Sequence, residues 1–102
     1  MKILICDIQV LLQGHNLGHI QNLIRYLEKN TDENEYIFLL NPEAASIPSI
    51  KTSAKNIKIV FFSEEEFRIF YEKSIVTSTL QIWKYLEEYV TSYKADKLIL
   101  MV

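Results

Sequence analysis

The sequence predicts a three-layer α/β fold: a parallel sheet of about four strands with helices on both faces, forming one domain over residues 1–102. Three observations lead there. Short, nearly continuous apolar runs, the pattern of strands covered on both faces, recur at residues 2–8, 36–40, 57–62 and 97–102. Between the first and second runs, and again between the third and fourth, apolar residues return at three- and four-residue steps, the period of a helix. Strands alternating with helices argue for parallel pairing, with right-handed crossovers as the default connection.

The first strand is Lys2-Ile3-Leu4-Ile5-Cys6-Asp7-Ile8. The glycine-bearing segment Gly14-His15-Asn16-Leu17-Gly18-His19 supplies a turn, after which Leu17, Ile20, Leu23, Ile24 and Leu27 form one apolar stripe on a helix ending near Asn30-Thr31-Asp32. Tyr36-Ile37-Phe38-Leu39-Leu40 is the second strand, closed by Asn41-Pro42 because proline cannot continue the ladder. From Glu43 to Asn56 no period emerges, and the segment reads as a long loop with a short helical turn around Glu43-Ala44-Ala45.

Ile57-Lys58-Ile59-Val60-Phe61-Phe62 is the third strand. Ser63-Glu64-Glu65-Glu66 has the serine-to-glutamate spacing of a capping box, so a helix starts there, and its acidic first turn suits the positive end of the helix dipole. Phe67, Phe70 and Tyr71 give way near Ser74 to a second stripe, Val76, Leu80, Trp83, Leu86 and Val90, carrying helix to about Tyr93. Lys97 to Val102 is the fourth strand. Residues 98–102 are apolar at every position, so this strand wants cover on both faces and along its edge. That ending fits the N-terminal portion of a larger domain; it also fits a complete small domain whose last strand is central in its sheet.

Composition narrows the partners. Eleven basic against thirteen acidic residues leave a formal charge of −2, which supplies no electrostatic footprint for nucleic acid or anionic lipid. The single cysteine, Cys6, has no internal disulfide partner and sits in an apolar strand, where a thiol behaves as a small hydrophobe. No apolar stretch reaches the roughly 20 residues of a transmembrane helix, and no signal-peptide pattern opens the chain, so a soluble cytoplasmic protein is expected.

The strongest candidate for chemistry is the turn after the first strand, because ligands of open parallel sheets bind outside the carboxyl ends of the strands. Asp7, Gly14, His15, Asn16, Gly18 and His19 all fall near that edge. Glycines let a backbone approach a ligand, unpaired amides at a helix N-terminus attract phosphate or carboxylate, and imidazoles donate to an anion or shuttle a proton. The same residues also fit a purely structural turn, with Asn16 as helix cap and the histidines solvated or hydrogen-bonded. Gly14-x-x-x-Gly18 lacks the dinucleotide spacing and no Walker lysine follows, which argues against a nicotinamide or ATP site. No cofactor is expected. Two histidines and one cysteine make no convincing metal site. The Glu64-Glu65-Glu66 run is accounted for by the helix cap, and Trp83 with Tyr85, Tyr89 and Tyr93 reads as a helix packing its aromatic residues on the sheet.

The opening strand Lys2-Ile3-Leu4-Ile5, the glycine-bearing loop and the helix text Asn22-Leu23-Ile24-Arg25-Tyr26-Leu27 resemble the start of a GT-B fold glycosyltransferase of the family 4 type. The likeness extends more loosely over the whole chain, whose element order suits the first half of that family's N-terminal Rossmann-like domain. It departs in the loop, where His15 stands in place of the usual second glycine if Gly14 matches the first, and Leu17 replaces an acidic residue. In another register Gly18 is the matching glycine. The resemblance implies sugar transfer from a nucleotide-sugar donor to an acceptor, with this domain on the acceptor side, the loop residues Gly14, His15, Asn16, Gly18 and His19 beside the substrate cleft, and no turnover without the second domain. A different class of reading is a free-standing α/β binding or interaction module that self-associates through its last strand or pairs through its aromatic helix. A self-contained nucleotide-binding enzyme ranks below both, since no phosphate motif has the right spacing.

Overall fold

The computed structural model describes residues 1–7, 18–66, 68 and 79–101. In chain order these form β1 (Lys2–Asp7), α1 (Gly18–Lys29), β2 (Glu35–Leu40), a 3-10 turn (Pro42–Ser46), β3 (Ile57–Phe61), α2 (Thr79–Tyr93) and β4 (Lys97–Met101). The four strands make one parallel sheet in the order β3-β2-β1-β4. The expected α/β class is therefore the observed one, and the order is Rossmann-like.

The apolar run of β1 is explained by its position. With β2 on one side and β4 on the other, Ile3, Leu4, Ile5 and Cys6 are all buried, the odd pair on one face and the even pair on the opposite face. Burying each such aliphatic side chain is worth about 1.5 to 3 kcal/mol, so this strand holds both layers of the core together. Cys6 is packed as a small hydrophobe in that interior, as its neighbours in sequence suggest.

On the odd face α1 lays Ile20, Ile24 and Leu27 against Ile3, Ile5, Tyr36, Phe38 and Ile57. This is the expected stripe; Leu17 lies outside the described residues. The helix stops at Lys29, and Asn30 then donates both its backbone N–H and its side-chain amide to the Tyr26 carbonyl, each at 2.9 Å. On the even face α2 places Leu86 on Leu4, Cys6, Ile37 and Leu39, flanked by Tyr89, Val90 and Tyr93. Tyr89 meets Phe62 edge to face, ring centres 5.1 Å apart. Two of the expected aromatic contacts of this helix are thus present; the side chains of Trp83 and Tyr85 lie outside the described residues, as do the expected apolar positions Phe67, Phe70, Tyr71 and Val76.

The 43–56 segment, long for a loop, is anchored rather than loose. Ala44 and Ile50 are buried in the α1 layer, and Ile47 and Ala54 pack beside them. Arg25 on α1 donates to the carbonyls of Ser49 (2.7 Å) and Lys51 (3.1 Å), and the Thr52 hydroxyl donates to Glu28 at 2.7 Å. The expected helical turn is the 3-10 turn Pro42–Ser46.

α2 ends on a Schellman motif: Ala95 N–H donates to the Val90 carbonyl (2.9 Å), Lys94 N–H to that of Thr91 (3.1 Å), and Lys94 takes the left-handed conformation at φ 55°. β4 then pairs with β1 and lies at the sheet edge, so a central last strand is not what the described residues form. Its Leu98 joins the α2 layer, whereas Ile99 on the opposite face is 40 % exposed because α1 covers β1 and β2 and not β4.

Candidate functional site at the carboxyl edge of the sheet

The strand order fixes where a ligand edge lies. From β1 the chain passes through α1 on the odd face to β2; from β3 it returns through α2 on the even face to β4, on the other side of β1. The winding therefore reverses between β1 and β4, and the crevice at such a reversal, outside the carboxyl ends of the strands, is where open parallel sheets receive ligands. Asp7 and Met101 are paired at that end of the two strands.

α1 runs back from the same edge, since it joins the end of β1 to the start of β2, and it opens on Gly18 and His19, both half-buried. Its first-turn amides carry the positive end of the helix dipole toward the edge. Of the residues expected at the site, Gly18 and His19 thus begin α1 at the carboxyl edge of the sheet. Gly14, His15 and Asn16 lie outside the described residues.

Farther along the same edge, past β2 and β3, is a pocket of about 220 Å³ lined by Asn41, Pro42, Glu43 and Glu64. Asn41 is almost wholly buried; its Oδ1 accepts the Glu43 N–H at 2.9 Å and so caps the 3-10 turn. In the sequence Asn41-Pro42 reads only as a strand stop. The available signal was the asparagine itself, a favoured cap residue directly ahead of proline at a first helical position.

Beside this pocket the capping box is present in full. Ser63 N–H donates to Glu66 Oε1 and Glu66 N–H to Ser63 Oγ, each at 3.1 Å, while the Tyr89 hydroxyl donates to Glu66 Oε2 at 2.8 Å. The Ser63 amide, then the Tyr89 hydroxyl, hold the Glu66 carboxyl below its ordinary pKa. Its oxygens are used for structure, which bears out the reading of the glutamate run as a helix start.

A larger cavity, of about 670 Å³, is elsewhere, between the later turns of α1 and the 51–54 segment. Arg25 and Glu28 in its lining are engaged with each other and with the loop: Arg25 donates to Glu28 at 2.6 Å as well as to two carbonyls, and Glu28 is held below its usual pKa by Arg25 first and Thr52 second. These bonds tie a loop to a helix and leave little chemistry for a ligand. Among the described residues no three histidine, cysteine, aspartate or glutamate side chains gather as a metal site, and no helix is long and apolar enough to cross a membrane.

No protein-family model, curated protein or solved structure matches this chain.

Proposed function

We propose that this chain is the acceptor-side, N-terminal part of a glycosyltransferase that transfers a sugar from a nucleotide-sugar donor, with the β1/β4 reversal as its side of the substrate cleft. The observation that supports the reading is that α1 begins, with Gly18 and His19, at the carboxyl edge of the sheet, the edge at which the winding reverses between β1 and β4. Amides at a helix N-terminus favour the negatively charged phosphates of a donor, and an imidazole there donates to the same group or to a sugar hydroxyl. The assignment to sugar transfer itself rests on the likeness of the opening strand, loop and helix to GT-B enzymes.

In such enzymes catalysis is largely the positioning of two substrates between two domains. One wall of a cleft binds without turning over, so the chain alone has no transferase activity. The test is thermal unfolding with UDP-sugars and GDP-sugars. A ligand that binds only the folded state raises stability by about 2.7 kcal/mol at a hundred times its dissociation constant. The reading expects a rise with one sugar nucleotide, diminished in His19→Ala, and none with the free sugar at equal concentration; no rise at millimolar nucleotide sugar contradicts it.

A second reading, an interaction module of its own, is favoured by one observation: Ile99 on the edge strand β4 is 40 % exposed, an apolar residue on a strand with an unpaired side among the described residues. Concentration-dependent dimerisation abolished by Ile99→Lys would support it.

A further inference from the structure

At the opposite, amino edge of the sheet a concavity of about 240 Å³ collects charge from separate parts of the chain. Lys2 on β1 and Lys58 on β3 stand on the α2 face of the sheet, one on either side of β2, as the register Lys2↔Glu35 and Ile37↔Lys58 requires. Lys55 and Asn56 come from the turn before β3, and Tyr93 from the last turn of α2. Against three ammonium groups the lining has one carboxylate, Glu35. The imbalance is local, since the chain as a whole is acidic by two charges.

These lysines are not used for structure. Arg25 with Glu28 is the one ion pair among the described residues, and neither Glu35 nor any other described carboxylate is within salt-bridge distance of Lys2, Lys55 or Lys58. Asn56 is held in place, its carbonyl accepting the Tyr36 N–H at 2.8 Å and its side-chain amide donating to the Asn34 carbonyl at 3.2 Å. Tyr93 is partly buried, which pushes its hydroxyl pKa up, with the Glu66 charge adding to the effect, so it stays a donor through neutral pH. Three like charges around one small hollow repel one another until an anion joins them, and lysine is a common point-charge binder of phosphate.

We propose that this amino-edge hollow binds a small phosphate dianion, free or as a phosphate ester, through Lys2, Lys55 and Lys58. It is separate from the carboxyl-edge site and stands or falls independently of the glycosyltransferase reading.

The test is a chemical-shift titration of the full chain with inorganic phosphate above neutral pH, at constant ionic strength, with sodium acetate as the control anion. Saturable shifts at the Asn56 and Lys58 amides are expected, with affinity about fivefold weaker in Lys58→Gln and weaker again in Lys55→Gln/Lys58→Gln, as the loss of about 1 kcal/mol per exposed charge implies. Glu35→Gln removes the one carboxylate of the lining and should tighten binding. Glycerol phosphate distinguishes an ester from the free ion: tighter binding than inorganic phosphate assigns the hollow to esters, and equal binding assigns it to the phosphate group alone. Shifts that do not saturate, that acetate reproduces, or that the double variant retains overturn the proposal, as does weaker binding in Glu35→Gln. Lys55 and Lys58 are exposed, and the amide spectrum of each variant verifies that it is folded.

Discussion

Lys94→Gly is expected to stabilise the protein. Lys94 is exposed, so its replacement removes no burial, and its φ of 55° puts it in the left-handed region where a Cβ crowds the following carbonyl. That conformation costs a non-glycine residue about 1 to 2 kcal/mol. Glycine gives back part of the gain, about 0.5 to 1 kcal/mol, because its unfolded chain has more freedom to lose. A net gain of about 0.5 to 1 kcal/mol follows, and in a domain of this size 1 kcal/mol moves the melting temperature by roughly 4 to 8 °C. The two hydrogen bonds that close α2, from Ala95 to Val90 and from Lys94 to Thr91, should persist in the variant because glycine is the residue this motif most often takes. The assay is urea unfolding followed by far-UV circular dichroism, read as a higher midpoint at an unchanged slope. Lys94→Ala is the control: it keeps the Cβ and should leave stability within about 0.5 kcal/mol of the parent. A glycine variant that is less stable than the parent, or an alanine variant that gains as much as glycine, refutes the reasoning.

Other perturbations follow from the same contacts. Ser63→Ala removes the hydroxyl half of the capping box and should cost about 1 kcal/mol in the same urea assay; the backbone N–H at position 63 and the Tyr89 hydroxyl remain, so Glu66 should still titrate below an ordinary glutamate by carbon-detected NMR. Asp32 is held below its usual pKa by the Tyr36 hydroxyl first and the Asn34 amide second, so its contribution to stability is present above the unfolded pKa and lost as pH falls through the depressed folded value. Tyr36→Phe should therefore flatten the loss of stability below about pH 4, and an unchanged acid limb counts against the assignment. Cys6 is wholly enclosed, so a thiol reagent should label it only at the rate of opening, and labelling should accelerate with urea.

The sheet was legible from residue type because parallel strands buried on both faces leave no polar positions to blur the pattern, and all four runs are strands within a residue or two of their expected ends. α1 was legible for a complementary reason: one stripe, Ile20, Ile24 and Leu27, faces the sheet while Arg25 and Tyr26 face out. The order of the strands was not, since any of the runs suits a central or an edge position and only the long-range pairing of Lys97–Met101 with Ile3–Asp7 puts β4 at the margin. The 43–56 segment was opaque because tertiary contacts hold it: nothing in Ile47 or Ile50 announces that Arg25 will bond Ser49 and Glu28 will bond Thr52, each pair 24 residues apart, and pin the segment to α1. The candidate ligand edge was half legible. Gly18 and His19 are recognisable from the strand-turn-helix pattern, whereas Asn41 acquires its place beside Glu64 only when β2 and β3 pair.

The central claim is that ligands enter at the carboxyl edge beside the β1/β4 reversal, and amide chemical-shift mapping with a UDP-sugar and a GDP-sugar tests it most directly. The account predicts that one of them shifts the amides of Gly18, His19 and Asp7 in a saturable way, leaving α2 and the 49–54 segment unmoved. Shifts confined to the 49–54 segment, or none anywhere in the folded protein at millimolar ligand, would contradict it.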